Sequence, residues 1–233
     1  MAKPVCVVVG VGPGNGAAFA RRFATEGHAV ALLARSTKFI GELASALPSA
    51  RAIACDVSDA GSISRAFETV RRELGEVEVL VYNAGSGAWG TVEEAKADDF
   101  ESAWRINAMG GFLCSREVIP AMRRAGRGSI VFVGATASRK AGARSAAFSS
   151  AKGAQRSLAE SMARALGPAG IHVALIVVDG VVDLPRTRER MRDKPDSFFI
   201  KPDGVAEIGF RLTQQDRSSW SFEVEARPFA ETW

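Results

Sequence analysis

A chain of 233 residues with 30 Lys and Arg against 26 Asp and Glu, a formal net charge of +4, is the size of one ordinary domain with a substantial core. The small excess of base is scattered, which suits anionic small molecules and gives no argument for nucleic acid. Three cysteines (Cys6, Cys55, Cys114) in or beside apolar runs read as reduced packing residues; with two histidines, His28 and His172, and no metal-ligand spacing, no metal site is expected. The first apolar run is too short for a signal peptide and no stretch is long enough to span a membrane, so the expectation is a soluble, cytoplasmic chain.

The chain opens on Val5–Val9, an apolar run without alternation that suits a strand buried on both faces of a parallel sheet. Glycines follow at positions 10, 12, 14 and 16, and an Ala/Phe/Arg pattern with helical spacing begins behind them at about Asn15. Glycine permits positive φ and a close approach of phosphate to backbone, and the helix start offers unpaired N–H groups to an anion. Strand, turn and helix read as a dinucleotide pyrophosphate site built on Gly10, Gly14, Asn15 and Gly16; a tight turn with no ligand is the plainer alternative.

Beyond this turn, strand and helix patterns alternate. Strands are predicted at 29–34, 52–55, 77–82, 129–133 and 173–178, with helices at 17–26, 41–47, 62–74, 98–123 and 149–166. This is an α/β chain: a single-domain, Rossmann-type doubly wound parallel sheet in three α/β/α layers, spanning 1–233. Small or polar residues at the strand ends then converge on one crevice.

The second strand ends in Ala34-Arg35-Ser36. A carboxylate at that tip would hold the ribose 2′-hydroxyl and repel a 2′-phosphate; a cation and a hydroxyl favour NADP, with NAD possible, unless Arg35 is simply a solvated residue. Asp56 reads as an acceptor for the adenine amino group or as a cap for the helix near Asp59. Asn83-Ala84-Gly85 supplies small residues where a cofactor passes close to backbone.

Over almost its whole length the chain resembles the short-chain dehydrogenase/reductase family. Gly10-x-x-x-Gly14-x-Gly16 is similar to that family's glycine motif (with Val9 where Thr is usual), Asp56-Val57 to its adenine contact, and Asn83-Ala84-Gly85 to its NAG motif. Asn107 matches its helix asparagine and Lys152 the lysine of Tyr-x-x-x-Lys. The resemblance implies an NAD(P)(H) cofactor held also by Lys152, Gly180 and Val182. It further implies a homodimer or homotetramer built through the long helices, and hydride transfer between nicotinamide and a small carbonyl or alcohol.

Two of the family's catalytic hydroxyls are missing. Phe148 stands four residues before Lys152 in place of Tyr, Ala135 stands where the Ser is expected, and the chain's one tyrosine is Tyr82. The family's Pro-Gly after the sixth strand is Asp179-Gly180 here. Losing a general acid costs roughly 10²- to 10⁴-fold, or about 3–5 kcal/mol of barrier, while proximity to a bound hydride donor supplies roughly 7–11 kcal/mol in well-oriented cases. Slow turnover through Asn107, Lys152 and Thr136 therefore competes with a catalytically weak cofactor-binding sensor or partner subunit. Lys152 acting through a water is the better proton donor; Thr136, Ser138, Ser149 and Ser150 also read as helix-start residues bonding backbone.

The polar stretch 184–203 reads as a substrate-side lid, with Arg139, Lys140 and Arg144 able to face the same pocket. Those cations suit an acidic substrate or are solvated charge. A helix at 205–212 and an alternating edge strand at 221–226 close the chain, where Trp220, Phe222, Phe229 and Trp233 read as subunit contact or core.

Overall fold

The computed structural model describes residues 3–230; Trp233 lies outside the described residues. Among the described residues nine strands and eight α-helices follow in order: β1 (Val5–Val9), α1 (Asn15–Thr25), β2 (Ala29–Ala34), α2 (Thr37–Ser45), β3 (Ala50–Ala54), α3 (Ala60–Glu73), β4 (Val77–Tyr82), α4 (Ala97–Trp104), α5 (Gly110–Ala125), β5 (Gly128–Val133), α6 (Ala146–Leu166), β6 (Ile171–Val178), β7 (Val181–Val182), α7 (Pro185–Arg190), β8 (Phe199–Ile200), α8 (Pro202–Thr213) and β9 (Glu223–Ala226). Seven strands form one parallel sheet in the order β3-β2-β1-β4-β5-β6-β9, and β7 pairs with β8 separately.

The unbroken valine run explains why β1 sits at the centre. Val5, Val7 and Val9 enter the core on the face covered by α3, α5 and α6, while Cys6 and Val8 enter the core under α1, α2 and α8. A strand with no polar side chain tolerates only a position covered on both faces, where each buried valine contributes about 1.5–3 kcal/mol. Strand order reverses at β1, so β2 and β4 leave its C-terminal end in opposite directions and open a crevice there.

Three details differ from the sequence expectations. The helix expected over 98–123 is two α-helices joined by a π-helical stretch, Arg105–Met109, which widens the turn carrying Asn107. The 184–203 stretch does not stay at the surface throughout. It contains α7, a 3₁₀ turn at Asp196–Phe198 and β8, whose Phe199 and Ile200 are buried. The last strand is shorter than expected; Val224 and Ala226 pack inward while Glu223 and Glu225 pair with Arg139.

The aromatic C-terminus divides three ways. Trp220 stacks on His172 with ring centroids 4.8 Å apart, Phe222 packs against the core, and Phe229 is 92% exposed. His172 is buried between the Leu212 and Ser221 carbonyls, and burial lowers its pKa. Among the described residues no helix is long and apolar enough to cross a membrane.

Candidate active site

At the β1/β4 switch point the glycine turn is held by its own surroundings. Gly10 has φ +82°, and a Cβ there would lie 2.5 Å from the Ala84 backbone nitrogen. Asn83 Nδ2 donates to the Gly10 carbonyl at 2.8 Å, so the residues after β4 brace the turn after β1. A Cβ on Gly16 would meet the Gly10 oxygen and Val11 Cα, both at 2.7 Å. Gly14 faces another element, since its Cβ would fall 2.5 Å from Leu184 Cδ2. Gly12 alone in this turn has no atom within 4 Å of the Cβ position. The motif glycines at 10 and 16 thus serve close backbone packing as well as any approaching phosphate.

A cavity of about 720 Å³ opens over this turn. Its lining includes Gly10, Gly14, Asn15 and Gly16 from the turn, Arg35 and Ser36 after β2, and Asp56 and Val57 after β3. Asn83, Ala84 and Gly85 contribute from the end of β4, and Val182, Leu184 and Arg186 from the far side. No side chain caps the start of α1, so no carboxylate or hydroxyl competes for its first N–H groups beside the cavity-lining Asn15 and Gly16, while the Ala17 N–H donates to the Gly12 carbonyl.

Asp56 is not the cap of α3. That part falls to Asp59, which accepts from the Gly61 N–H at 2.9 Å. Asp56 Oδ1 accepts from both the N–H and the hydroxyl of Ser58, and those bonds hold its carboxyl below the usual range. Gly180, with φ +145°, packs near Pro228 and Ile200 and is not among the cavity-lining residues.

Behind Gly85 lie the two remaining family residues. A Cβ at Gly85 would sit 3.1 Å from Asn107 Oδ1 and 3.6 Å from Lys152 Nζ, so both side chains pack directly behind a cavity-lining residue that has none. Asn107 is fully buried and donates through Nδ2 to Ala103 O at 2.8 Å and Ser86 O at 3.0 Å. Its Oδ1 is buried with no partner. Lys152 donates to Val133 O at 2.9 Å and to Gln155 Oε1 at 3.1 Å. Burial alone lowers its pKa from 10.5 to about 7.

At the position of the missing phenol the contact is apolar. Phe148 packs against Trp89, ring centroids 5.1 Å apart, and Trp89 is 70% exposed. Tyr82 is buried and donates its hydroxyl to the Ile106 carbonyl, with its pKa raised by burial. Thr136 donates to Asp179 Oδ1 at 2.5 Å and lines a separate small recess with Arg139, Lys140 and Glu225. Ser138 accepts from the Ala135 N–H, and Ser149 bonds Ser145.

Most of the cations considered for an acidic substrate are engaged elsewhere. Arg139 pairs with Glu223 and Glu225, Arg144 with Glu94, and Arg188 with Asp183 and Asp196. Arg188 also lies 4.0 Å over the Phe199 ring. Arg186 is the arginine of this stretch that lines the large cavity. Among the described residues no group of three or more His, Cys, Asp or Glu is placed to hold a metal, and all three thiols are buried and unpaired.

Sequence reasoning missed Gln155 and Ile106 as neighbours of the site. Gln155 carried a readable signal: it is a polar residue in the buried stripe Ala151, Ala159, Met162 and Leu166 of α6.

The residues present fit a dinucleotide. Uncapped helix N–H groups meet an open glycine turn, Asn15 Oδ1 and Asn107 Oδ1 are buried acceptors without partners, and a cation and hydroxyl flank the second strand. Such a cavity, outside the carboxyl ends of a doubly wound sheet, defines a dinucleotide-binding α/β protein. Residues 4–195 match the short chain dehydrogenase family model, and the chain belongs to that family. It is 32% identical over 200 residues to the 2-(R)-hydroxypropyl-CoM dehydrogenase of Xanthobacter autotrophicus, covering 82% of this chain and 79% of the relative. Identity is 33% over 217 residues to the short-chain reductase protein NovJ of Streptomyces niveus, covering 89% and 82%. Among solved structures, a metagenomic short-chain oxidoreductase in complex with NADP superposes with a TM-score of 0.84 at 29% identity, covering 99% of each chain.

Proposed function

We propose that this chain is an NADP(H)-preferring oxidoreductase acting on a small carbonyl or alcohol, with NAD as a possible second cofactor. The observation that carries the reading is the cavity edge at β2, where Arg35 and Ser36 stand and no acid competes for a 2′-phosphate. A similar chain in complex with NADP supports it. Gly10, Gly14, Asn15 and Gly16 would cradle the pyrophosphate, Asp56 and Val57 would take the adenine, and Asn83, Ala84 and Gly85 would let the ribose approach; Val182 would border the nicotinamide, with Gly180, outside the lining, shaping the chain that leads to it.

When bound, the nicotinamide supplies or accepts the hydride. Lys152 Nζ holds the nicotinamide ribose, and with a pKa of about 7 it gives up or takes a proton at neutral pH through an intervening water. Asn107 orients the floor. Thr136 keeps its hydroxyl on Asp179, in a recess separate from the large cavity. Phe148 and Trp89 make the substrate end apolar, and residues 184–203 form a lid over it. The whole chain, 1–233, is one cofactor-binding domain.

Phe100, Trp104 and Phe112 expose apolar surface along α4 and α5, which supports self-association of two or four copies through the long helices. Three unpaired thiols support a reducing, cytoplasmic setting. A second reading, a weakly active cofactor-binding sensor or partner subunit, is favoured by the apolar Phe148 and Ala135.

Incubation with NADPH and a panel of carbonyl compounds decides between them. Turnover abolished by Lys152→Ala supports the enzyme. Tight NADPH binding without turnover on any compound, together with carbonyl reduction gained by Phe148→Tyr with Ala135→Ser, supports the second reading.

A further inference from the structure

The π-helical stretch between α4 and α5 frees backbone carbonyls that an α-helix would bond internally. Two side chains take them up. Asn107 Nδ2 bonds Ala103 O, and Gln155 Nε2 reaches across from α6 to donate to the Asn107 carbonyl at 3.0 Å. The other end of the same carboxamide accepts from Lys152 Nζ at 3.1 Å. Gln155 is fully buried, and both its polar atoms are used.

We propose that Gln155 is a positioning residue for Lys152, fixing Nζ beneath Gly85. The proposal rests on the reading of that cavity as the cofactor site. A primary ammonium has three N–H donors. Two are directed to Val133 O and Gln155 Oε1, which leaves one on the side of Gly85, where Nζ lies 3.6 Å from the position of a Gly85 Cβ. A carboxamide donates and accepts but does not release a proton near neutral pH, so it conducts none between the Asn107 carbonyl and the lysine. Gln155 therefore holds the lysine in place without offering it a proton path toward the Asn107 carbonyl.

Burial is the sole cause of the lowered Lys152 pKa. Val133 of β5, Asn107 of the π stretch and Gly85 after β4 face it with neutral groups. The nearby charges of α4 and α6 pair elsewhere: Glu101 with Arg105, and Arg156 with Glu160 and Glu223. Gln155 is then the side chain that hydrogen-bonds the amine, beside the Val133 carbonyl.

The test reads the Lys152 titration midpoint in nucleotide-free protein, from the pH dependence of its ε-carbon NMR signal, assigned with Lys152→Met. Gln155→Glu places a carboxylate against Nζ and is expected to raise the midpoint by more than a unit; Gln155→Met removes an acceptor and lowers it. NADPH affinity of Gln155→Met falls about tenfold or more, the scale of one hydrogen bond to a charged group. Variants that melt lower but keep the wild-type midpoint and affinity would mean a merely structural role and overturn the proposal. Should both variants fail to fold, the side-chain amide protons of wild-type Gln155 decide: slow exchange with solvent is expected, and fast exchange refutes the bridge. If wild-type protein does not bind NADPH, the cofactor reading fails separately, and the midpoints still decide the role of Gln155.

Discussion

Replacing Gly10 by alanine tests whether the turn is shaped by its own packing or by its ligand. At φ +82° an L side chain enters the left-handed region, at a cost of about 1–2 kcal/mol. Its Cβ would also lie 2.5 Å from the Ala84 nitrogen and 2.9 Å from the Ala84 Cβ. Backbone cannot rotate aside as a side chain does, so overpacking adds about 1–3 kcal/mol. Gly10→Ala is therefore expected to destabilise the fold by roughly 2–5 kcal/mol, lowering Tm by roughly 4–20 °C at this chain length. Gly12→Ala is the control. Gly12 has no positive φ, lines the cavity and meets no atom within 4 Å of its Cβ position. Its stability should stay within about 1 kcal/mol of wild type, while NADPH affinity falls at least ~10-fold as a methyl enters the phosphate path. Thermal melts and fluorescence titration with NADPH measure both quantities. A Gly10→Ala protein that melts with wild type, or a Gly12→Ala protein that binds NADPH normally, would refute the reasoning.

Lys152 should make the nucleotide-free protein more stable as pH rises. Its folded pKa of about 7 lies below the ordinary 10.5, so between those values the unfolded chain binds more protons and ΔG of unfolding climbs with pH. Below about 7 both states are charged and this contribution is flat. Urea unfolding should show a gain of about 2–3 kcal/mol from this group between about pH 6 and about pH 9. Lys152→Met should remove that slope; an unchanged slope would place the titration elsewhere. Arg35→Ala should weaken NADPH by about tenfold or more, the scale of a charge-assisted hydrogen bond, and leave NADH within about twofold. Equal wild-type affinities for the two nucleotides would end the NADP assignment.

The central strands were legible because β1, β2 and β4 are unbroken or nearly unbroken apolar runs ended by glycine or a polar residue. The π stretch was not, because the apolar spacing through Arg105–Met109 continues that of the flanking helices and no glycine or proline interrupts it. Asp56 could be read as the cap of the third helix until the structure showed Asp59 accepting from the N–H of Gly61. The hydroxyl of Thr136 could be placed near the substrate end from its strand, but its partner, Asp179, is 43 positions away on β6's exit.

What the chain settles by itself is local: a valine run needs two covered faces, a glycine series permits a tight turn, and phenylalanine and alanine at 148 and 135 carry no transferable proton. Those are properties of residue identity and of repeats two or 3.6 residues long. Tertiary structure alone decided the partners. Gln155 meets Asn107 across 48 positions, Lys152 meets Val133 across 19, and Leu184 packs onto Gly14. Such pairs depend on how helices settle against a sheet, a matter of close packing over the whole core that no short stretch of sequence encodes.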